Sequence, residues 1–468
     1  MFYGLREASA QSRIARSIAL GDPIALAIPA AWRRLLRSSG VRIDEGRSVI
    51  AFARRTLAWM RMGVRTYMAL LRASVSAPPA PRASFVAAID LTPDLAPPSG
   101  DEDPGRRDHV NWIARWSERA TGARYVWAHV AARPAWAGAR MTIAPTPFPR
   151  LTSTQSRIAF AVRGALELAR TAVALVIGRW WSAALLQERI ALSYFTRLPA
   201  GSIASAYVFN NSDWLIRPLW TYAAERRGRR VVMTYYSSNN LRFAPGMPPG
   251  PAFGCGEGLG TWPEYVVISR DIAESLEAQR GVAIRYEVDP LIDMVDSGAT
   301  LAIDAIRPVG VFNVTPFRDC ALAERGVLTP YYTADRAIAF LTDVQWACAE
   351  LGATLVMKQK RDIGRLEHRR YSRYADRLSR SSGIVAVDPG IAASRLIGAC
   401  AAVISAPFTS PSVIAAAMGV PAVFYDPDAS VAAVVTTAHG VDVIGGRAAL
   451  LDWLASALGR GAEGGARG

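Results

Sequence analysis

The chain has 468 residues, 51% hydrophobic and 20% charged, as in a globular protein with two or three domains and large cores. Its formal net charge of +15, almost all from arginine, fits a partner rich in phosphate or other anions without choosing among nucleic acid, anionic lipid and phosphorylated substrates. The four cysteines (Cys255, Cys320, Cys348, Cys400) form no CxxC pair and the four histidines are scattered, which argues against a zinc-type cluster and for a reducing cytosol.

Residues 1–76 read as helical and strongly basic, with 13 arginines against Glu7, Asp22, Asp44 and Glu45. Apolar side chains, Trp32, Leu35, Phe52, Leu57, Trp59 and Leu70 among them, are interleaved with the charge. Such a segment fits an anionic membrane surface, or equally a helical layer packed on the domain behind it. No secretory signal pattern follows Arg6, Arg13 and Arg16, and the most apolar stretch, Ile158–Leu186, is interrupted by Arg163, Glu167, Arg170 and Arg179, too charged for a span of about 20 apolar residues. The Pro-rich SAPPAPRAS of Ser76–Ser84 is a linker.

Phe85–Leu91 is a short strand, Asp108–Thr121 an Asp-capped helix and Tyr125–Val130 another strand. Residues 153–193 form one long or two medium helices, in which Trp180 and Trp181 are simplest as core. An alternation then begins: strand Ala204–Phe209, polar turn Asn210–Asp213, helix Trp214–Arg227, strand Arg230–Tyr236. Strands alternating with helices predict a parallel sheet. The glycines at 254, 256, 258 and 260 imitate a dinucleotide fingerprint, but no strand precedes them and no helix follows at once. Tyr265–Ile268 and Asp271–Arg280 are a further strand and helix.

After Pro290–Pro308 the alternation restarts with strand Val309–Val314, helix Ala334–Leu351, strand Thr354–Lys358, helix Leu366–Arg380, strand Ile384–Val387 and helix Ile391–Ala399. Ala401–Pro427 is the most informative stretch. Its apolar strand must stop at Pro407, Thr409 and Ser410 stand at a helix start where hydroxyls cap free amides, Pro411 fits the first turn, and Gly419 suits the C′ position. A β–α–β unit places Thr409 and Ser410 at the carboxyl end of a parallel strand, where open α/β sheets bind ligands and helix dipoles favour anions. Two other strand ends carry matching chemistry: Asn313 and Thr315 in NVTPFR, and Lys358, Lys360 and Arg361 in MKQKRD, where clustered cations are costly without an anion. The last helix is Arg447–Leu458, followed by a Gly-rich tail.

PFTS at Pro407–Ser410, followed by IAAAMGVPAVFYDP at 414–427, resembles the bacterial polysaccharide-biosynthesis family named for its PFTS motif. VFNNSDWLIRPLWTYAAERRG at Val208–Gly228, DHVNW at Asp108–Trp112 and WPEYVV at Trp262–Val267 resemble it too. The family is similar, more distantly, to GT-B glycosyltransferases that use CMP-activated sugars. Those enzymes hold the nucleotide with a His-Pro motif and a Ser/Thr pair at a helix start. Thr409 and Ser410 stand where the pair would be, but the His-Pro position falls in MKQKRD, which has none. CMP-sugars and UDP- or GDP-sugars therefore both remain as donors, with Lys358, Lys360 and Arg361 able to hold a diphosphate.

The resemblance implies an α/β fold of two Rossmann-like domains whose parallel sheets face a cleft (GT-B-like), after a basic helical N-terminal extension. The expected divisions are 1–76 (basic helices), 84–298 (acceptor side), 308–458 (nucleotide-sugar side) and 459–468 (disordered tail). It implies a glycosyltransferase needing no cofactor and no metal, with Asn313, Thr315, Lys358, Lys360, Arg361, Pro407, Phe408, Thr409 and Ser410 around the donor. The base of an inverting reaction would come from Asp213, Asp108 or His109, or from the loop acids Asp101, Glu102 and Asp103. The expected partners are a nucleotide sugar, a lipid-linked or polymeric glycan, and the inner face of the cytoplasmic membrane, with no nucleic acid. A nucleotide-sugar epimerase on the same fold, and a non-catalytic sugar-nucleotide or glycan-binding partner, are the alternatives.

Overall fold

A computed structural model describes residues 13–15, 17–91, 109–131, 134–138, 140–210, 214, 216–235, 260–290, 301–318, 333–358, 367–388, 391, 393–433 and 435–464. The chain divides into two compact units, residues 1–93 with 113–232 and residues 94–112 with 233–468.

The basic segment folds as helices Ala30–Ser38 and Glu45–Ser76. The second runs for 32 residues from an Asp44 cap that accepts the Arg47 amide at 3.0 Å. It packs against the helices Thr154–Val176 and Leu186–Phe195. The contact is close because Gly63 faces Leu186, where a Cβ would come within 2.4 Å, and Gly164 faces Tyr67, where it would come within 2.2 Å. Tyr67 donates its hydroxyl to the Ala161 carbonyl at 2.8 Å. Buried Glu167 ties the layer together, with Arg163 at 2.9 Å and Arg189 at 3.6 Å. Trp180, half-buried, packs on Trp59 and Phe52, and Trp181 is 48% exposed, so neither reaches the buried core expected of them.

Strands β1 (Phe85–Ala88), β2 (Tyr125–His129), β3 (Trp136–Ala137), β4 (Met141–Ala144), β5 (Ala206–Asn210), β6 (Arg230–Tyr235), β7 (Glu264–Val267) and β8 (Tyr286–Val288) form a sheet in the order β3-β4-β2-β1-β5-β6-β7-β8. β1 pairs in parallel with β2 and β5, setting Val86 opposite Val126 and Ala206. β3–β4 is antiparallel. The helix expected from Trp214 begins only at Leu219, because Pro218 lacks the amide a helix interior needs and instead precedes the first turn. Glu188 caps that start by accepting the Leu219 amide at 2.9 Å, and burial raises its carboxyl above the usual range. Trp220 then enters an aromatic core of Phe148, Phe195, Tyr207 and Phe209.

The second sheet comprises β9 (Val309–Phe312), β10 (Leu355–Lys358), β11 (Ile384–Val387), β12 (Ala402–Ser405), β13 (Ala422–Asp426), β14 (Thr437–Ala438) and β15 (Val441–Gly445), in the order β11-β10-β9-β12-β13-β15-β14. Only β14–β15 is antiparallel among its described pairs. Side chains alternate between two covered faces: Val309, Val311, Leu355 and Ile404 meet Leu341 and Leu454 on one, and Phe312, Val356 and Val403 meet Leu396 and Ile414 on the other. Burial on both faces explains why these strands read as unbroken apolar runs. The final helix runs from Arg447 to Gly464, past the Leu458 end expected from the sequence. The structure is thus an α/β fold with two sheets dominated by parallel pairs and a helical N-terminal region.

Candidate functional site

The second sheet places the sequence-derived candidates by its topology. From β9 the chain moves outward to β10 and β11, returns to the other side of β9 at β12, and moves outward again to β13 and β15. The crossover falls between β9 and β12, and the crevice beyond the carboxyl ends of such strands is where open α/β sheets bind ligands. β10, β9 and β12 are neighbours in parallel register, Leu355 opposite Val309 and Ile404 opposite Val311. At a strand spacing of about 4.8 Å, their ends span roughly 10 Å. Those ends are Lys358, Asn313–Thr315 and the PFTS turn, so the structure brings together the three strand ends singled out from the sequence.

The PFTS turn is built by its own residues. The Thr409 amide donates to the Ala406 carbonyl at 3.3 Å, Pro407 is the second residue, and Phe408 is the third with φ +59°. Positive φ at the third position is the pattern of a type II turn, which favours glycine there. Phe408 is held in this conformation by burial, 4% exposed and 6.0 Å from the Phe424 ring. The turn delivers the chain into the helix Ser410–Ala417, with Thr409 at the N-cap position.

Capping differs from the expectation. Thr409 is 2% exposed and its hydroxyl donates back to the Ala406 carbonyl at 2.7 Å, so the N-cap side chain does not cap the helix start. Ser410, half-buried, has no side-chain hydrogen bond among the described residues. Ser412 is the structural hydroxyl instead: it bonds Ser405 at 2.6 Å and the Val423 carbonyl at 2.9 Å, pinning the helix between β12 and β13. Sequence reasoning missed this pair; its signal was two small hydroxyls, Ser405 and Ser412, flanking the turn inside apolar runs.

Asn313 is also committed to the fold. Its amide nitrogen donates to the Ala337 carbonyl at 2.9 Å and its oxygen accepts the Val314 amide at 2.8 Å. Thr315, half-buried with no side-chain hydrogen bond among the described residues, is the better placed of the two to meet a ligand. Lys358 ends β10 and is 3% exposed, an ammonium whose burial demands anionic or dipolar neighbours. Lys358 and Lys360 are the only two lysines among 54 basic residues. Lys360 and Arg361 lie outside the described residues, as do Asp213, Asp108, Asp101, Glu102 and Asp103; His109 opens the helix His109–Thr121, its side chain not described.

Next along the sheet, β13 ends in fully buried Asp426, which bonds Arg336 and accepts the Val431 amide at 2.5 Å. Arg336 also reaches Asp428 at 3.2 Å. Burial pushes the Asp426 carboxyl up to about 6. Burial pushes Asp428 the same way, but its bond with Asp426 and the Arg336 charge outweigh it and hold that carboxyl low. Among the described residues no three His, Cys, Asp or Glu side chains group to hold a metal ion. Two other quoted motifs serve packing: Trp112 of DHVNW donates to Asp289 at 3.0 Å, and buried Arg217 bonds Thr221 and Glu225 while lying 4.0 Å over the Tyr222 ring.

Against known proteins, a family model described as polysaccharide biosynthesis PFTS motif protein matches residues 171–454. No curated protein matches. Among solved structures, the wall teichoic acid polymerase TagF aligns over 82% of this chain and 83% of its own, with 11% identity and a TM-score of 0.40. The Methanocaldococcus jannaschii UDP-GlcNAc 2-epimerase, in complex with UDP-GlcNAc and UDP, aligns over 80% and 92%, with 10% identity and a TM-score of 0.36. The calicheamicin glycosyltransferase CalG4 aligns over 81% and 90%, with 12% identity and a TM-score of 0.33.

Proposed function

This chain belongs to the polysaccharide biosynthesis PFTS motif family, and from that premise we propose that it is a GT-B glycosyltransferase moving a sugar from a nucleotide-activated donor to a surface polysaccharide such as capsule or O-antigen. The observation that carries the reading is the crossover between β9 and β12, beside which Lys358, Thr315 and an uncapped helix start meet. A helix start whose N-cap side chain leaves the first amides uncapped favours a phosphate, and Lys358 adds formal positive charge. The same groups stabilise negative charge on the departing phosphate without calling on a metal ion. Inversion at the anomeric carbon, by one in-line displacement, is the simplest course for such a site.

The acceptor side of the proposal is a lipid-linked or polymeric glycan at the inner face of the cytoplasmic membrane. It is supported by the helix Glu45–Ser76, which exposes Val49, Ile50, Leu57, Met62 and Met68 between the exposed arginines 47, 54, 55, 61 and 65. The helix Thr154–Val176 exposes Ile158, Val162 and Leu166 as well. A basic surface with interleaved apolar side chains matches an anionic bilayer. No helix of the described residues is long and apolar enough to cross one.

Calorimetric titration with CMP, CDP, UDP, GDP and dTDP tests the donor site and decides between CMP and diphosphate donors. One nucleotide is expected to bind saturably, and Ser410→Ala to weaken it by about 1–3 kcal/mol, because a hydroxyl bonding a charged oxygen is lost. The same change should leave stability within about 0.5 kcal/mol. Absence of saturable binding by all five nucleotides would refute the reading.

A further inference from the structure

The helix Thr154–Val176 carries a stripe of exposed apolar residues. Ile158, Val162 and Leu166 follow one another at helical spacing and are 45% to 60% exposed, and Val173 and Val176 continue the stripe on the same face. From Ile158 to Val176 it runs about 27 Å at the helical rise. Beside Ile158, Ala159, Val162 and Leu166 lies a groove of about 640 Å³, within the roughly 300–1,000 Å³ of small-ligand sites, and Arg163 and Arg197 line it too. All of these residues belong to the first compact unit.

The charge around the groove is not balanced. Buried Glu167 supplies one carboxylate, which is shared by Arg163 at 2.9 Å, Arg170 at 3.4 Å and Arg189 at 3.6 Å. Arg197, half-buried, makes no ion pair among the described residues. One of its terminal nitrogens donates to the carbonyl and the hydroxyl of Ser193, and its Nε is buried without a hydrogen-bond partner among the described residues. Burial, and then the positive charge of Arg163, hold the Arg197 guanidinium below the usual arginine range. Two cations that press on each other beside an apolar surface are costly to gather without an anion.

We propose that this groove seats one lipid phosphate, with the phosphate between Arg163 and Arg197 and the chain along Ile158, Val162 and Leu166; as the anchor of the lipid-linked acceptor, it rests on the glycosyltransferase reading above. A guanidinium fork holds two phosphate oxygens at once. An apolar chain needs no polar partner, and besides the arginines the groove offers only Gln155. That lining suits a nucleotide base poorly, because its donors and acceptors would be buried unsatisfied. A second copy of the chain fits poorly as well, since a two-fold contact would bring the two arginine pairs together. Adsorption to an anionic bilayer depends on charge alone, whereas a groove that takes one molecule by its phosphate and chain discriminates among lipids of equal charge.

The test uses the full chain with neutral phosphatidylcholine vesicles that carry hexadecyl phosphate or, at matched surface charge, phosphatidylserine. Flotation gives a partition coefficient for each, and their ratio cancels adsorption by charge. The wild type is expected to prefer hexadecyl phosphate by about tenfold or more. Arg197→Gln and Val162→Asn should each bring the ratio to unity. Arg54→Gln, on the helix Glu45–Ser76, should lower both coefficients by about fivefold and leave the ratio unchanged. Val162 is exposed, so its replacement leaves the core intact and carries the test if Arg197→Gln fails to fold. A wild-type ratio near unity, or a folded variant at Arg197 or Val162 that keeps the preference, overturns the assignment. Release from hexadecyl phosphate vesicles by an equal concentration of inorganic phosphate would make a free anion the ligand and overturn it too. Dimerisation that Val162→Asn abolishes would give the groove to a second copy, with the same result. Nucleotide calorimetry is independent of all these. Saturable nucleotide binding without lipid discrimination strikes out the groove alone; lipid discrimination without nucleotide binding refutes the glycosyltransferase reading, and with it the groove's part as acceptor anchor.

Discussion

Phe408 offers a prediction that separates backbone strain from packing. Truncating its ring to alanine removes a buried aromatic group in contact with Phe424, a loss of about 3–5 kcal/mol. Alanine also keeps a Cβ in the left-handed region, which costs about 1–2 kcal/mol. Phe408→Gly loses the same ring but escapes that penalty, at an extra unfolded-state entropy of about 0.5–1 kcal/mol. The glycine variant should therefore be at least as stable as the alanine variant, by a margin of up to about 1.5 kcal/mol. At an ordinary φ the order is reversed, with glycine worse by about 0.5–1 kcal/mol. Phe408→Leu, which keeps much of the buried area, should lie nearer the wild type than either. Urea unfolding of the full chain, followed by tryptophan fluorescence and by circular dichroism, measures all three. If Phe408→Gly proves less stable than Phe408→Ala by 1 kcal/mol or more (roughly the ordinary glycine deficit), the strained turn that presents Thr409 and Ser410 is not the one described.

The remaining predictions concern titration, thiols and lipid. Asp426, with its folded-state carboxyl raised to about 6, contributes stability that is fully present below the ordinary carboxylate range and is lost as pH rises through about 6. Asp426→Asn should remove that slope, read as the difference in urea midpoint between the two proteins from pH 4 to pH 7. Cys348 and Cys400 are buried, and burial pushes both thiols up to about 12. Neither should react with a thiol reagent at pH 8 until the chain is unfolded, and labelling of either in native protein would contradict the packing. The chain should float with vesicles containing anionic phospholipid and not with neutral ones, and replacing Arg54, Arg55, Arg61 and Arg65 with glutamine should cut the bound fraction at least tenfold, by about 1 kcal/mol per charge. Equal flotation on neutral vesicles would remove electrostatics from the account.

The β–α–β unit around PFTS was legible because local chemistry dictates it. Strands were read from apolar runs that the structure buries on both faces, the helix start from Pro407 and Pro411, and its end from Gly419, which has φ +74°. Long-range pairing was not legible. No local pattern tells that the Asp90 amide donates to Nδ1 of His129 at 3.1 Å, because strand order decides it. Nor could the sequence tell that Thr409 turns its hydroxyl back to Ala406 while Ser412 takes the structural bonds, since serine and threonine carry the same donor at each position. Of the carboxylates favoured from the sequence as bases, Asp213 was chosen for standing at a strand end and Asp108 for its place in the DHVNW motif, and both lie outside the described residues.

Selective isotope labelling tests the donor site most directly. Lys358 and Lys360 are the only lysines in the chain, so protein labelled with [15N]lysine gives two backbone amide signals, and Lys360→Arg assigns them. Adding the nucleotide that binds by calorimetry should move the Lys358 signal saturably, with the calorimetric dissociation constant. If that nucleotide binds while both lysine signals stay fixed, the donor does not occupy the crossover between β9 and β12.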